Sequence, residues 1–371
     1  MRINIMPLIP AYEPDEKLEK YVDELINNGF KKILIVNDGS SEKANKYFEN
    51  LQKREECIVI KHEKNKGKGQ ALKTGFKYYI ENCSSIYDGI VTADSDGQHT
   101  AEDTVKIAKD IIENKNKKML VLGVRDFDNE NVPFKSRFGN NITKLIFKVL
   151  YGKYISDTQT GLRGFTNEYI KDCIEITGDR YEYETNMLIQ ATRNNVEIKE
   201  EIIETIYIND NETSHFNPIK DSLKIYKLLF GNFIKFSCSG IISFVIDWGI
   251  FVIFANCVLI FLDQTKAILF ATIIARVISS IVNFVLNKNI VFNLKSNKNL
   301  KIIIIKYYAL CIIQMLLSAT LVILFTQILP ITKNIIKIII DICLFFISYQ
   351  IQQKYIFNKK TEEWKWNYFL H

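Results

Sequence analysis

Gly89-Ile90-Val91-Thr92-Ala93-Asp94-Ser95-Asp96-Gly97-Gln98-His99 is the stretch that decides the fold. A short apolar run of the kind that forms a buried strand ends in two carboxylates one residue apart. Similar runs lie at residues 3–9, 32–36, 57–61 and 118–123, with helical periodicity between them at 15–28 and 69–81. Alternation of this kind predicts an α/β domain, with a mostly parallel, Rossmann-like sheet covered by helices on both faces. Ligands of such sheets sit beyond the carboxyl ends of the strands. Polar clusters follow three of the runs: Pro10-Ala11-Tyr12-Glu13, Asn37-Asp38-Gly39-Ser40 and the Asp94–His99 string. One cluster alone reads equally well as an ordinary turn. Three on one rim read as a binding edge.

The chemistry of that edge follows from its donors. Asp94 and Asp96, with Gln98 as a third oxygen, form a hard set suited to Mg²⁺ or Mn²⁺ holding a phosphorylated substrate. Asn65-Lys66-Gly67-Lys68-Gly69-Gln70-Ala71 is basic, glycine-rich and precedes a helix, a setting that favours phosphate. It lacks the spacing and the terminal Lys-Ser/Thr of a P-loop.

Composition divides the 371 residues into two parts. No Glu occurs between Glu212 and Glu362, and that stretch is dominated by Ile, Leu, Phe and Val. A soluble domain followed by a membrane domain is expected. The net charge of +6 gathers beside apolar segments, which fits an anionic membrane surface and not nucleic acid. The seven cysteines are scattered and include no C-x-x-C pair, in keeping with a reducing compartment and against structural zinc. No basic region followed by a long apolar run opens the chain, so a cleaved signal is not expected.

Taken in order, these strings resemble family 2 inverting glycosyltransferases of the GT-A fold, over residues 1 to about 230. The nearest branch is that of dolichyl-phosphate mannose synthases and bacterial polyprenyl-phosphate glycosyltransferases. Further matching strings are Gly123-Val124-Arg125, Ser136-Arg137 with Gly139-Asn140, and Asp157-Thr158-Gln159-Thr160-Gly161-Leu162-Arg163-Gly164-Phe165. The resemblance implies that Asp38 binds the base and that Pro10, Tyr12 and Glu13 line the base and ribose pocket. It puts Lys68 and Asp94 on the nucleotide sugar, and Asp96, Gln98 and Asp94 on a Mg²⁺ or Mn²⁺. Arg125 and Arg137 would hold the acceptor phosphate, and Asp157 and Gln159 would shape the sugar pocket. Asn37 departs from the pattern, since many relatives carry a second Asp there. Glu184, in Tyr181-Glu182-Tyr183-Glu184, resembles an acceptor-side acidic segment; a helix start carrying glutamates is the plainer alternative for Glu182. His215, in Ser214-His215-Phe216, resembles a diphosphate contact in a closing loop, against the alternative of a surface histidine.

Residues 135–151 and 217–233 both carry apolar positions at helical spacing with lysines beside them, which suggests helices at a bilayer surface. Four apolar segments follow, near 233–258, 266–292, 302–329 and 335–357, each long enough to span a bilayer. Lys295, Lys298 and Lys301 in one loop, and Lys359 and Lys360 in the tail, put the catalytic domain and both chain ends in the cytoplasm. The spans repeat as a duplicated hairpin. Phe233-Ile234-Lys235-Phe236 matches Ile304-Ile305-Lys306-Tyr307, and Arg276, Asn283 and Asn287 match Asp341, Ser348 and Gln352. Arg276, Ser279, Ser280, Asn283 and Asn287 fall on one face, expected to point inward. Arg276 is expected to pair with Asp341, with Asp247 as the other candidate partner; alternatively the polar face contacts a lipid-linked phosphate or sugar. This half resembles GtrA-like membrane proteins, which are thought to help move polyprenyl-linked sugars.

The expected organisation is a GT-A domain at 1–216, an amphipathic linker at 217–232, a four-helix GtrA-like domain at 233–358 and a cytoplasmic tail at 359–371. The expected activity is transfer of a sugar, with inversion, from a nucleotide sugar to polyprenyl (undecaprenyl) phosphate for cell-surface glycans. By analogy a UDP-sugar is preferred over GDP-mannose. Membrane lipid is a further partner, nucleic acid is not, and a homo-oligomer is left open. Two alternatives stand beside it. A processive polysaccharide synthase carries Gln-x-x-Arg-Trp, whereas Gln190-Ala191-Thr192-Arg193 is followed by Asn194. A lipid-sugar flippase or scaffold with a nucleotide-binding domain would not need Asp94, Asp96, Gln98, Arg125 and Arg137 together.

Overall fold

The computed structural model describes residues 3–126, 134–204, 218–259, 261–294, 299–330 and 332–357. His215, Lys295, Lys298, Lys359, Lys360 and the tail lie outside the described residues. The chain forms two compact units that meet between Leu228 and Leu229.

The first unit is built on seven strands: β1 (Met6–Ala11), β2 (Ile33–Asn37), β3 (Cys57–Lys61), β4 (Gly89–Thr92), β5 (Met119–Arg125), β6 (Arg163–Thr166) and β7 (Glu197–Ile203). Their order across the sheet is β3-β2-β1-β4-β6-β5-β7. β6 runs antiparallel to both β4 and β5, and every other pairing is parallel. This is the mostly parallel sheet that the alternation of apolar runs and helical periodicity predicts. Every residue of β1, β2 and β4 is buried, as a sheet covered on both faces requires.

Register explains why the polar clusters share an edge. Ala11 pairs with Asn37 and Asn37 with Lys61, so β1, β2 and β3 end level. Because β6 is antiparallel, Arg163 at its start lies beside Thr92 and Leu122, near the ends of β4 and β5. The segment before Arg163, which holds Asp157 and Gln159, therefore enters the sheet at the rim from which Asp94 and Arg125 leave it. Ile203 pairs with Arg125, so β7 ends there too.

Helices lock the loops in place. In α1 (Glu16–Asn27), Leu18, Tyr21, Val22 and Leu25 form one buried stripe, and Asp15 caps the start by accepting from the Lys17 amide. Burying each such side chain contributes ~1.5–3 kcal/mol. α4 (Ala101–Glu113) starts two residues after His99. Thr100 accepts from the Asp103 amide at 3.0 Å and donates to the Asp103 carboxylate at 2.9 Å. That reciprocal cap fixes where the Asp94–His99 string leaves the rim. The remaining helices are α2 (Glu42–Gln52), α3 (Lys68–Asn82), α5 (Phe134–Tyr151), α6 (Asn167–Cys173) and α7 (Glu182–Arg193). On α5, Asn140, Thr143, Phe147 and Leu150 are buried while Leu145 and Val149 stay exposed beside Lys148.

Two expectations shift here. The first strand occupies 6–11 and not 3–9; Ile3 makes only an isolated bridge to Phe30. The linker at 217–232 is not separate from the first span. α8 runs unbroken from Pro218 to Ile253, with proline at its first position, where the missing amide costs nothing.

The second unit continues with α9 (Gln264–Leu286), α10 (Leu300–Ile328) and α11 (Lys333–Ile351). Among the described residues, four helices are long and apolar enough to cross a membrane, the shortest being Lys333–Ile356 at 24 residues. At 1.5 Å per residue that length reaches about 36 Å, more than the roughly 30 Å hydrocarbon layer. The duplication is structural. Wide π turns at Asn287–Val291 and Gln352–Ile356 stand at matching repeat positions, and Asn287 Nδ2 donates to Gln352 Oε1 at 3.0 Å between them. Phe292 stacks on its counterpart Phe357 at 5.1 Å. Phe236 meets Tyr349 at 5.2 Å, and their counterparts Tyr307 and Phe284 meet at 5.2 Å. Within each hairpin the same positions touch with sizes exchanged. Asn283 Nδ2 donates to Ser243 Oγ at 3.0 Å, and Ser348 Oγ donates to Gln314 Oε1 at 3.1 Å. These contacts relate the hairpins by a local two-fold axis through Asn287–Gln352 and Phe292–Phe357.

The inward polar face holds for Ser279 and Asn287, which are buried, but not for Arg276, whose side chain is 75% exposed. Arg276 does not pair with Asp341. It faces Asp247 at 3.5 Å, while Asp341 takes Lys337 at 2.8 Å and accepts from Ser318 at 2.7 Å. The repeat explains this. Each acidic group finds its cation within its own hairpin, so positions 276 and 341 look away from each other. Exchanging Asp247 and Arg276 is expected to recover the folded yield that either reversal alone loses, read by size-exclusion of detergent-solubilised protein. The Arg276/Asp341 exchange is expected to recover nothing.

Candidate active site

The rim gathers Asp94, Gln98, His99, Arg125, Gln159, Thr160, Gly161, Ile203 and Glu204 around one cleft of the first unit. Four separate sequence strings thus meet in one place. Asp96, Tyr12, Glu13, Asp38, Lys68, Asp157, Glu184 and Arg137 do not line the cleft themselves; Asp96, Lys68 and Asp157 act on groups that do.

Asp94 is the best-held of these groups. Lys68 Nζ lies 2.6 Å from its Oδ1, and Lys68 also reaches Glu184 Oε1 at 3.1 Å. His99 Nε2 stands 3.7 Å from Asp94 Oδ2, too far for a hydrogen bond. Both nitrogens of His99 are buried without a hydrogen-bond partner among the described residues. Burial raises the Asp94 carboxyl, but Lys68 and His99 outweigh it and hold the group well below the usual carboxylate range. Asp96 behaves oppositely: burial, then the charge of Asp94, pushes its carboxyl up. Its Oδ1 accepts from the Gln98 amide at 3.0 Å, which turns the chain so that Gln98 faces the cleft.

Arg125 and Asp157 form a two-point pair. Arg125 Nε donates to Asp157 Oδ2 at 2.7 Å and its terminal nitrogen to Oδ1 at 3.1 Å. Asp157 is fully buried, and Gln159 N donates to its Oδ1 at 3.0 Å. Burial raises this carboxyl, but Arg125 outweighs it and holds it below its ordinary value. Asp157 is thus a fixed anion that positions Arg125 and Gln159.

Asp38 faces inward at 2% exposure. Its Oδ1 takes the Lys66 amide at 2.9 Å and His62 Nδ1 at 2.7 Å, and its Oδ2 takes the Gly67 amide at 2.7 Å. In this structure its oxygens close the 64–67 loop, and a contact to a base would act through that loop. Gly67, at φ +98°, passes so near Asp179 O that a Cβ would lie 2.4 Å away. Glu13 accepts from the Ser41 amide at 2.6 Å and from Ser41 Oγ at 2.9 Å, joining the first two clusters, and Tyr12 beside it is exposed. Pro10 is buried within β1. Glu182 stands in the first turn of α7, as its plainer reading has it, and accepts from the Asp179 and Arg180 amides that lead into the helix.

His99, Gly161, Arg163 and His62 carry parts of the site that no role was read for in sequence. His99 closes the Asp94–His99 string. Gly161 and Arg163 stand inside another quoted string. Nothing local marks His62, which matters only through Asp38. Gly161 packs on the Asp94 carboxylate, where a Cβ would come within 2.2 Å of Oδ2. Gly161→Ala is therefore expected to push Asp94 off Lys68 and to cost roughly 1–3 kcal/mol, as overpacking does. Thermal melting checks it; an unchanged melting temperature would contradict the tight fit.

Two hard carboxylates and an amide oxygen within one turn suit a divalent cation by donor chemistry, and the strained Asp96 marks negative charge that a cation would relieve. Among the described residues no three His, Cys, Asp or Glu side chains converge as a ready-made metal group.

Comparison with known proteins divides the chain as its structure does. Residues 8–173 match Glycosyl transferase family 2, and residues 235–357 match the GtrA/DPMS transmembrane domain. The chain is 33% identical over 239 residues to a UDP-N-acetylglucosamine–dolichyl-phosphate N-acetylglucosaminyltransferase of Methanococcus voltae, covering 60% of this chain and 93% of that protein. It is 31% identical over 231 residues to an uncharacterized protein of Methanocaldococcus jannaschii, covering 61% of this chain and 90% of that protein. Among solved structures, mannosyl-3-phosphoglycerate synthase from Rubrobacter xylanophilus aligns at 13% identity and a TM-score of 0.45, over 61% of this chain and 72% of that one.

Proposed function

Because the chain belongs to glycosyl transferase family 2, fused to a GtrA/DPMS transmembrane domain, we propose that it transfers a sugar from a nucleoside-diphosphate sugar to a polyprenyl phosphate. The observation that carries this reading is the meeting of Asp94, Gln98, His99, Arg125 and Gln159 in one cleft, in a chain whose described residues also include four helices long and apolar enough to cross a membrane. The relative named for UDP-N-acetylglucosamine and dolichyl phosphate makes that donor the first to try.

The chemistry needs little from the protein beyond charge and position. An acceptor phosphate oxygen, already ionised near neutral pH, attacks the anomeric carbon. The bond to the diphosphate breaks, and the configuration inverts in one displacement. No general base is required, which suits Asp157: it is bound by Arg125 and placed to orient, not to take a proton. Arg125, anchored through two nitrogens, keeps its charge at the rim for the acceptor phosphate, with Arg137 on α5 as its partner in that task. Asp94, Asp96 and Gln98 would hold Mg²⁺ or Mn²⁺, which would offset charge on the departing diphosphate. Lysine-rich ends of the spans favour a cytoplasmic catalytic unit, and the product would serve cell-surface glycans.

The test is the purified full-length chain with UDP-N-acetylglucosamine, UDP-glucose or GDP-mannose, undecaprenyl or dolichyl phosphate, and Mg²⁺, Mn²⁺ or EDTA. The expected product is a mono-glycosylated lipid phosphate, identified by mass, that EDTA abolishes. Polymer formation, or no lipid product with any donor, would overturn the proposal.

A further inference from the structure

We propose that Lys68 is a built-in cation that closes the divalent-cation site at Asp94 until a nucleoside diphosphate arrives, with Glu184 as the anchor it withdraws to. This rests on reading the cleft as a nucleotide-sugar site.

The geometry is specific. Lys68 is the first residue of α3, and its Nζ bridges Asp94 Oδ1 at 2.6 Å and Glu184 Oε1 at 3.1 Å. All three side chains are largely buried, at 18%, 29% and 10% exposure, so the attraction is only weakly screened by solvent. Asp94 is hemmed in elsewhere: Gly161 packs against the carboxylate and His99 faces Oδ2. A divalent cation binds carboxylate oxygen at ~2.0–2.2 Å. An ammonium already on Oδ1 would then lie close to that ion and repel it.

Glu184 turns this obstruction into a device. It sits in the first turn of α7, and its backbone oxygen is held by Arg163 at 2.9 Å, so its position is fixed. An ammonium that leaves Asp94 still has a buried carboxylate to bind, and so is not stranded. A nucleoside diphosphate adds oxygens that hold the cation, and the cation so held drives the ammonium off Asp94 onto Glu184. Cation and nucleotide should therefore bind together, and the cation alone should bind poorly. Lys68 and Glu184 are positioning residues, acting through Asp94.

The experiment is a Mn²⁺ titration of the detergent-solubilised full-length chain, following the free-ion paramagnetic resonance signal with and without UDP. Wild type is expected to bind Mn²⁺ weakly alone and at least about tenfold more tightly with UDP. Lys68→Gln is expected to tighten nucleotide-free binding by about tenfold or more, as removal of a competing buried charge should. Glu184→Gln is expected to do the reverse, since the ammonium then has only Asp94 to hold; the UDP enhancement should shrink. Opposite signs from two neighbouring changes would not arise from general loosening. If Lys68→Gln alone is too unstable to purify, Lys68→Gln/Glu184→Gln removes the stranded carboxylate and reads the same gain. Wild type that binds Mn²⁺ tightly without UDP overturns the proposal, as does a Lys68→Gln protein with no gain while wild type still responds to UDP. Absence of Mn²⁺ binding in every state overturns the proposal together with the cation-assisted reading of the cleft.

Discussion

Replacing Asp96 with alanine is expected to lower sugar transfer by at least about 10²–10³-fold while leaving the fold intact. The argument for a large catalytic effect with little cost to stability comes from the direction of its shift. Burial and the neighbouring charge of Asp94 push the Asp96 carboxyl up, so the fold disfavours its ionised form. A folded protein gains nothing from carrying such a charge, and its removal relieves Asp94. Only one turn bond, from the Gln98 amide, is lost. Asp96→Asn keeps an oxygen for that amide, and is expected to lose as much transfer with an even smaller change in melting. Lipid-product formation at saturating donor, alongside a thermal melt, checks both. Transfer near the wild-type rate would remove Asp96 from the mechanism.

Arg163→Ala is expected to destabilise the first unit by about 3–5 kcal/mol, the scale of leaving buried polar groups without partners. Its guanidinium is 1% exposed, with Nε donating to Thr160 O at 2.8 Å and a terminal nitrogen to Glu184 O at 2.9 Å. Removing it opens a cavity and takes a buried donor from two carbonyls at once. The melting temperature should fall by roughly 10 °C. Lysine should rescue little, because a single ammonium cannot span both oxygens in the fixed geometry of the guanidinium fork. A melting temperature within two or three degrees of wild type would show that the cluster repacks.

The sequence was most legible where the physics is local. Parallel strands read as apolar runs, and β2, β3 and β4 match those runs within a residue at each end; β2 and β4 are wholly buried and β3 partly so. β6 and β7 were not read. Arg163-Gly164-Phe165-Thr166 opens on a charge, and Glu197–Ile203 carries four charged residues on an edge strand. Motif residues were legible as types, but not by partner. That Arg125 meets Asp157, or Lys68 meets Asp94 and Glu184, depends on β6 reversing direction between β4 and β5, a non-local fact. Charge in the membrane unit misled for the same reason: matching repeat positions suggested that Arg276 and Asp341 meet, whereas each pairs within its own hairpin.

The axis through Asn287–Gln352 and Phe292–Phe357 has an ancestral implication. An object with this symmetry can be assembled from two identical short chains or from one doubled gene. While the halves are identical, every substitution is imposed on both sides of the seam at once. Joined in one polypeptide, they drift apart, and compensation can occur on one side only. The exchanged sizes at Ser243–Asn283 and Gln314–Ser348 are what such freed halves leave behind. The seam itself, amide to amide and ring to ring, has changed least in kind, because there each half is still the other's partner.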